Sequence, residues 1–271
     1  MSKLSNLKRK IYTNPDSNNY AFVYHRRFNR NNSVALDLTM QCNASCFNCE
    51  ASCRQAPSNE KMTLEQIKKF VDEAIKLKYR WDAIKLRGGE PTLHPEFSDI
   101  LKIIKKYKDF HPDCKITIVT NGMGKKVNEI LSKVPDWVCE QNSSKKTGQY
   151  DYGTFKSYNI APKDLFWYKF YRDYSKGCNR LVRCHGLALS RYGYYPCTHG
   201  ANVDRVFGFD IGIKKLSDVN EKALRKQMQT LCKYCGHFKL TNDYIDGEKM
   251  SKSWQKIYKK YKQKKPDMSL Y

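Results

Sequence analysis

Hydrophobic positions along the chain switch between a period of two and a period near 3.6, and each switch marks a predicted element. Ser33 to Met40 (SVALDLTM) alternates, with Val34, Leu36 and Leu38 on one face, and predicts a strand. A helix is predicted from about Thr63: Thr63 and Gln66 fit a capping box, and Ile67, Phe70, Val71, Ala74 and Ile75 recur at helical spacing. A second strand, Ala83 to Arg87, runs into Gly88-Gly89-Glu90-Pro91. After Pro95 a second amphipathic helix buries Phe97, Ile100, Leu101 and Ile104, and the strand Lys115 to Val119 ends in Thr120-Asn121-Gly122. A short helix near Val127 to Leu131 precedes a fourth strand that ends at Gln141-Asn142-Ser143-Ser144. Strands alternating with helices of this length predict βα units and a parallel sheet.

The pattern weakens from Lys145 to Gly177, where one aromatic helix is expected around Asp164 to Tyr174. The last third carries a hairpin with Gly193 in its turn (GLALSRYGYYPC) and a helix near Val219 to Leu231 that leads into Cys232. The expected organisation is an N-terminal extension (1–32), a βα domain (33–177), a small cysteine-rich module (178–248) and a basic tail (249–271). Trp254, Ile257, Tyr258 and Tyr261 recur at helical spacing in that tail and are expected to pack against the protein itself.

Composition narrows the class. With 271 residues, 40% of them hydrophobic, the chain can bury a sizeable core, so disorder throughout is excluded. No stretch approaches the roughly 20 apolar residues of a spanning helix. The basic start MSKLSNLKRKIYTNP lacks an apolar secretory segment, so a cytoplasmic location is expected. Eleven cysteines without an export signal favour metal or catalytic chemistry over a disulfide scaffold. The formal charge of +23 attracts anions. Eight lysines lie in 249–265, which has no acidic residue, yet the excess is spread over the rest of the chain as well. A lysine-rich solvated surface explains it better than a nucleic-acid role, because no recognition motif accompanies the charge.

In parallel α/β folds, ligands bind beyond the carboxyl ends of the strands. Three thiols, Cys42, Cys46 and Cys49, fall within eight residues of loop directly after the first strand. Three cysteines on an iron–sulfur cluster leave one iron open, whereas a structural zinc site closes with four ligands. Cys53 could supply that fourth thiolate. Cys114 and Cys139 lie in strand-adjacent apolar sequence and are expected to be core residues.

The CxxxCxxC loop after strand one, Gly88-Gly89-Glu90-Pro91 after strand two, Thr120-Asn121-Gly122 after strand three and Asn142-Ser143-Ser144 after strand four together resemble the radical S-adenosylmethionine (radical SAM) superfamily. The resemblance implies an α/β fold, a partial (β/α) TIM-like barrel with a small C-terminal cysteine-rich hairpin/helix module. It also implies that Cys42, Cys46 and Cys49 bind a 4Fe-4S cluster whose open iron is chelated by SAM. Reductive cleavage of SAM would then yield a 5'-deoxyadenosyl radical that abstracts hydrogen from substrate. Gly88 and Gly89 would let backbone approach the SAM amino group, with Glu90 and Pro91 beside it, and Asn121, Ser143 and Ser144 are candidates for its ribose or carboxylate. Family members usually carry an aromatic residue just before the third cysteine, against adenine. Here that position is Asn48, with Phe47 before it, so either Asn48 hydrogen-bonds the adenine edge or the loop is shifted. A six-unit barrel would be incomplete, because little chain separates Lys145 from the second cysteine set.

Cys184, Cys197, Cys232 and Cys235 suffice to close a four-thiolate site, zinc or iron–sulfur by spacing alone. Beside a radical SAM core they resemble the shortened SPASM, or twitch, module, which implies an auxiliary 4Fe-4S cluster, the second in the chain. Cys178 could replace Cys184 as ligand. Cys178 or Cys53 could instead donate hydrogen in an epimerisation. His185, His199 and His237 cluster around this set and could tune it or bind substrate, though lone histidines more often do neither. The twitch resemblance suggests a two-electron oxidation, and the charge a small anionic substrate such as a phosphorylated sugar or nucleotide derivative. An external electron donor such as flavodoxin or ferredoxin is implied. Peptide maturation is an alternative within the superfamily, disfavoured because the segment before Ser33 is too short for a winged-helix recognition domain. The non-enzyme alternative is a nucleic-acid-binding protein with one zinc on Cys42, Cys46, Cys49 and Cys53 and another on the second set.

Overall fold

The protein is described by a computed structural model over residues 32–46, 49–142, 158–168, 170, 173–178, 181, 186–238 and 250–271. Strand β1 (Ser33–Thr39), helix α1 (Leu64–Lys76), strand β2 (Ala83–Gly88), helix α2 (Phe97–Phe110), strand β3 (Lys115–Thr120), helix α3 (Lys125–Leu131) and strand β4 (Val138–Asn142) follow one another as the hydrophobic pattern predicts. The capping box at α1 is present: the Gln66 amide donates to Thr63 Oγ1, and the Thr63 amide donates to Gln66 Oε1.

Strands β5 (Leu187–Ser190) and β6 (Gly193–Tyr195) form the expected hairpin. Their location was not legible in the sequence: β5 pairs in parallel with β1, so one sheet runs in the order β4-β3-β2-β1-β5-β6. All neighbours in it are parallel except β5 and β6. This is the α/β partial-barrel arrangement expected from the motifs. Helices α4 (Thr198–Phe207), α5 (Glu221–Leu231) and α6 (Lys252–Gln263) complete the regular elements among the described residues.

Strand alternation divides the sheet into two unlike faces. Val34, Leu36, Leu38, Ile84, Leu86, Ile116 and Ile118 pack against Ile67, Phe70, Val71, Ile100 and Ile104 of α1 and α2 in the main core. On the other face β1 and β2 carry Asp37 and Arg87, which form an ion pair at 3.3 Å. Ala188 and Tyr195 from the hairpin join Val203 and Val206 of α4 and Trp254, Tyr258 and Tyr261 of α6 in a second core. The aromatic stripe of the basic tail is thus an internal packing face, and its lysines remain on the outside.

Three details differ from the sequence reading. No single aromatic helix spans 164–174; the described residues there form two separate turns of 3-10 helix, Pro162–Asp164 and Phe166–Tyr168, because Pro162 fixes the first turn and Leu165 is extended between them. Cys139 is exposed on edge strand β4, whereas Cys114 is buried as expected. Helix α4 was not anticipated: its sequence THGANVDRVF holds polar residues that are nearly all buried, so it has no polar stripe to betray it.

Candidate active site

Strands β1, β2 and β3 bring their terminal motifs together. Gly89 N donates to Thr39 O at 2.7 Å and Glu90 N to Gln41 O at 2.8 Å, fastening the second strand end to the start of the cysteine loop. A Cβ on Gly89 would lie 2.3 Å from Gln41 O and 3.0 Å from Cys42 Cβ, and Gly88 holds φ +141° with a Cβ position 2.3 Å from Thr39 O. The glycine pair is therefore required by the approach of the loop itself.

Glu90 is fully buried, and its carboxylate accepts from four donors: Thr92 N (3.3 Å), Thr92 Oγ1 (2.8 Å), Thr120 Oγ1 (2.9 Å) and Asn121 N (2.7 Å). It joins the β2 turn, where Pro91 opens a 3-10 turn, to the end of β3. Asn121 continues the chain of contacts. Its Nδ2 donates to Asn43 Oδ1 (2.8 Å) and lies 3.7 Å from Cys42 Sγ, while its Oδ1 accepts from Met123 N. Both side chains brace the cysteine loop. Changing Glu90→Gln replaces one acceptor by a donor facing the Thr120 hydroxyl or the Asn121 amide, and is expected to cost on the order of 1–3 kcal/mol, measured by chemical denaturation.

Cys42, Cys46 and Cys49 share the loop, with Cys46 buried and the other two half-buried. Cys42 Sγ accepts from Ala44 N at 3.4 Å, the kind of amide contact that steadies a thiolate. Cys53 is buried against them; its contact with Cys49, then burial, push its thiol well above the usual range. The donor set fits an iron–sulfur cluster, with Cys53 close by. Phe47, Asn48, Ser143 and Ser144 lie outside the described residues, and the side chain of Asn142 is likewise not described.

The second set converges independently. Cys178, Cys197, Cys232, Cys235, His199 and His237 line one cavity. Burial, then the neighbouring thiols, push Cys232 and Cys235 well above the usual range, because an apolar surrounding disfavours the charged form and adjacent thiolates repel one another. That donor set also fits an iron–sulfur cluster. Cys197 caps α4, its Sγ accepting from Gly200 N at 3.3 Å. Cys184 and His185 lie outside the described residues.

Several residues at this site escaped sequence reasoning. Glu50 follows Cys49 and reaches both His199 and His237. Burial opposes its ionisation, but the two imidazoles outweigh that and hold its carboxyl well below the usual range. Arg205 of α4, 3% exposed, donates to Ala51 O (3.0 Å), Ala56 O (3.2 Å), Asn202 Oδ1 (3.2 Å) and Tyr261 Oη (2.8 Å), and lies 3.5 Å from Glu60. Arg87 Nη1 donates to Thr198 Oγ1 at 2.8 Å, and burial raises the Asp37 carboxyl despite that guanidinium. No pattern in the chain marks these as partners.

Residues 36–138 match the Radical SAM superfamily. Similar curated proteins include the probable GTP 3',8-cyclase of Methanococcus aeolicus, 34% identical over 91 residues, which are 34% of this chain and 29% of the relative. The probable GTP 3',8-cyclase of Thermococcus kodakarensis is 36% identical over 90 residues, 33% of this chain and 27% of the relative. The similarity thus spans less than a third of either relative's length. Two solved structures overlap more of the chain, but loosely. BtrN in complex with AdoMet and 2-DOIA is 14% identical with a TM-score of 0.44, covering 79% of this chain and 97% of that one. The native anSMEcpe structure with bound AdoMet and Cp18Cys peptide is 13% identical with a TM-score of 0.39, covering 85% and 95%. No helix among the described residues is long and apolar enough to cross a membrane. Within residues 36–138, the stretch that matches the Radical SAM superfamily, the CxxxCxxC loop, the Gly88-Gly89-Glu90 turn and Asn121 are joined at three adjacent strand ends.

Proposed function

We propose that the protein cleaves SAM reductively and abstracts hydrogen from a small anionic molecule, oxidising or epimerising it. The observation that carries this reading is the three-strand junction: the loop with Cys42, Cys46 and Cys49 is pinned by Gly89, Glu90 and Asn121 at the carboxyl ends of β1, β2 and β3. When bound, a 4Fe-4S cluster with SAM supplies the electron and the 5'-deoxyadenosyl radical.

The chain's own contribution is to hold and orient. Cys42, Cys46 and Cys49 would bind the cluster, while Asn43 and Asn121 fix the loop between them. Glu90, its carboxylate engaged by four donors, would act on SAM through the shape it gives the Gly88-Gly89 turn. Cys178, Cys197, Cys232 and Cys235 would bind a second cluster, supported by their shared cavity. Arg87, paired with Asp37, and Lys85 lie on the sheet face not covered by α1 and α2, and the net charge of +23 favours an anionic substrate. Flavodoxin or ferredoxin would supply the electron.

The test is anaerobic reconstitution with iron and sulfide, followed by SAM and a strong reductant. Release of 5'-deoxyadenosine is expected from a brown, oxygen-sensitive protein. A colourless, air-stable zinc protein with strongly salt-dependent polynucleotide binding would overturn the reading in favour of a nucleic-acid-binding role.

A further inference from the structure

Three side chains outside both cysteine motifs meet between the two thiol sets. Glu50 follows Cys49 on the first loop, His199 lies in the first turn of α4, and His237 stands two residues beyond Cys235. Glu50 Oε2 is 2.8 Å from His199 Nε2, and Glu50 Oε1 is 2.9 Å from His237 Nε2. The two imidazoles are 2% and 1% exposed, and their ring centroids are 4.4 Å apart at 73°. One ligand atom from each residue lies within 4.8 Å of the other two.

Distance and direction disagree at His199 in an informative way. Its Nε2 is close enough to Glu50 for a hydrogen bond, yet neither ring nitrogen of this buried imidazole makes an aligned one. An imidazole nitrogen 2.8 Å from a carboxylate oxygen with no aligned N–H between them is spaced as two ligands of one ion are. First-row divalent ions bind such atoms at about 2.0–2.2 Å, which at angles between octahedral and tetrahedral sets neighbouring donors roughly 3 Å apart. The donor types also suit an ion of this class: two imidazoles and one carboxylate, without thiolate, favour zinc or ferrous iron.

We propose that Glu50, His199 and His237 form a mononuclear site for a divalent first-row transition ion, bordering the cavity of the second cysteine set but using none of its thiols as ligands. The ion cross-links the loop that carries Cys49 to the segments that carry Cys197 and Cys235. Three protein ligands leave a coordination position for water or a substrate oxygen.

The test uses full-length protein anaerobically loaded with iron and sulfide, so that the thiols are occupied, then given zinc and desalted. The wild type is expected to retain a single zinc per chain that Glu50→Gln and His199→Gln lose, with iron content unchanged. Zinc K-edge absorption should show nitrogen and oxygen at about 2.0–2.2 Å and no sulfur at about 2.3 Å. No retained zinc, equal retention in the variants, or sulfur in the zinc shell would overturn the proposal. If the variants fail to fold, the absorption spectrum of the wild type alone decides. Because iron is counted separately, a chain that takes no iron but holds zinc on nitrogen and oxygen would sink the radical SAM reading of the site and leave this one standing.

Discussion

Replacing Cys42, Cys46 and Cys49 together by alanine is expected to abolish 5'-deoxyadenosine release and to remove about four iron atoms per chain. The loss should be complete because the three thiols have no substitute arrangement. Cys53, the one further thiol on this loop, is buried against Cys49, and a single cysteine cannot hold a cluster. The fold should survive the change. The loop projects from the carboxyl end of β1, whereas the principal core lies between the sheet and helices α1 and α2. Of the three cysteines only Cys46, at 4% exposed, is fully buried, and Cys42 and Cys49 are half-buried. Each truncation is small, since burying a methylene-sized group is worth roughly 0.8 kcal/mol. The paired measurement is liquid chromatography of the nucleoside product beside an iron assay and a thermal melt. Product release that persists in the triple variant would sink the assignment, whatever the iron count. The matching change in the second set, Cys232→Ala with Cys235→Ala, should remove the other iron complement instead.

How much of this was legible in the chain follows from what a one-dimensional pattern can carry. The βα alternation, the capping box of α1 and the strand-end motifs are local, each set by neighbours within a few residues. The pairing of β5 with β1 is not: it joins Val34 to Leu187 across most of the domain, and nothing in GLALSRYGYYPC names its partner. The same limit hid the residues that stand behind the cysteines. Glu50 reads as an ordinary polar neighbour of Cys49 until α4 brings His199 beside it. His199 and His237 stood out only by nearness to cysteines. Glu90 shows what a conspicuous motif leaves out: its carboxylate also accepts from Thr92, Thr120 and Asn121 and so ties the β2 turn to the end of β3. Helix α4 was missed because a helix buried on nearly all sides, polar residues included, shows no amphipathic period.

Arg205→Ala is expected to destabilise the protein by about 3–5 kcal/mol, the range for removing one partner of a buried charged network. Arg205 is the residue through which α4 holds the segment after the cysteines. Its guanidinium spans Ala51 O, Ala56 O, Asn202 Oδ1 and Tyr261 Oη with Glu60 alongside, so it links β1's loop, α4 and α6 at one point. Alanine leaves the two carbonyls without these donors and Glu60 without this cation. Among the described residues Glu60 keeps the Tyr192 hydroxyl at 2.8 Å, a neutral donor in place of a cation. Arg205→Lys should recover little, because an ammonium on a flexible stem cannot reproduce a planar fork that serves four acceptors. Chemical denaturation measures the cost, and thiol alkylation supplies a second readout. Cys46, 4% exposed in the intact protein, should become reactive in the variant as residues 51–56 lose their anchor. A loss under about 1 kcal/mol, within the range of an exposed ion pair, together with an unreactive Cys46, would show that the loop is held by Tyr258 and Asn202 instead, through Ser52 Oγ (2.9 Å) and Glu50 O (2.7 Å).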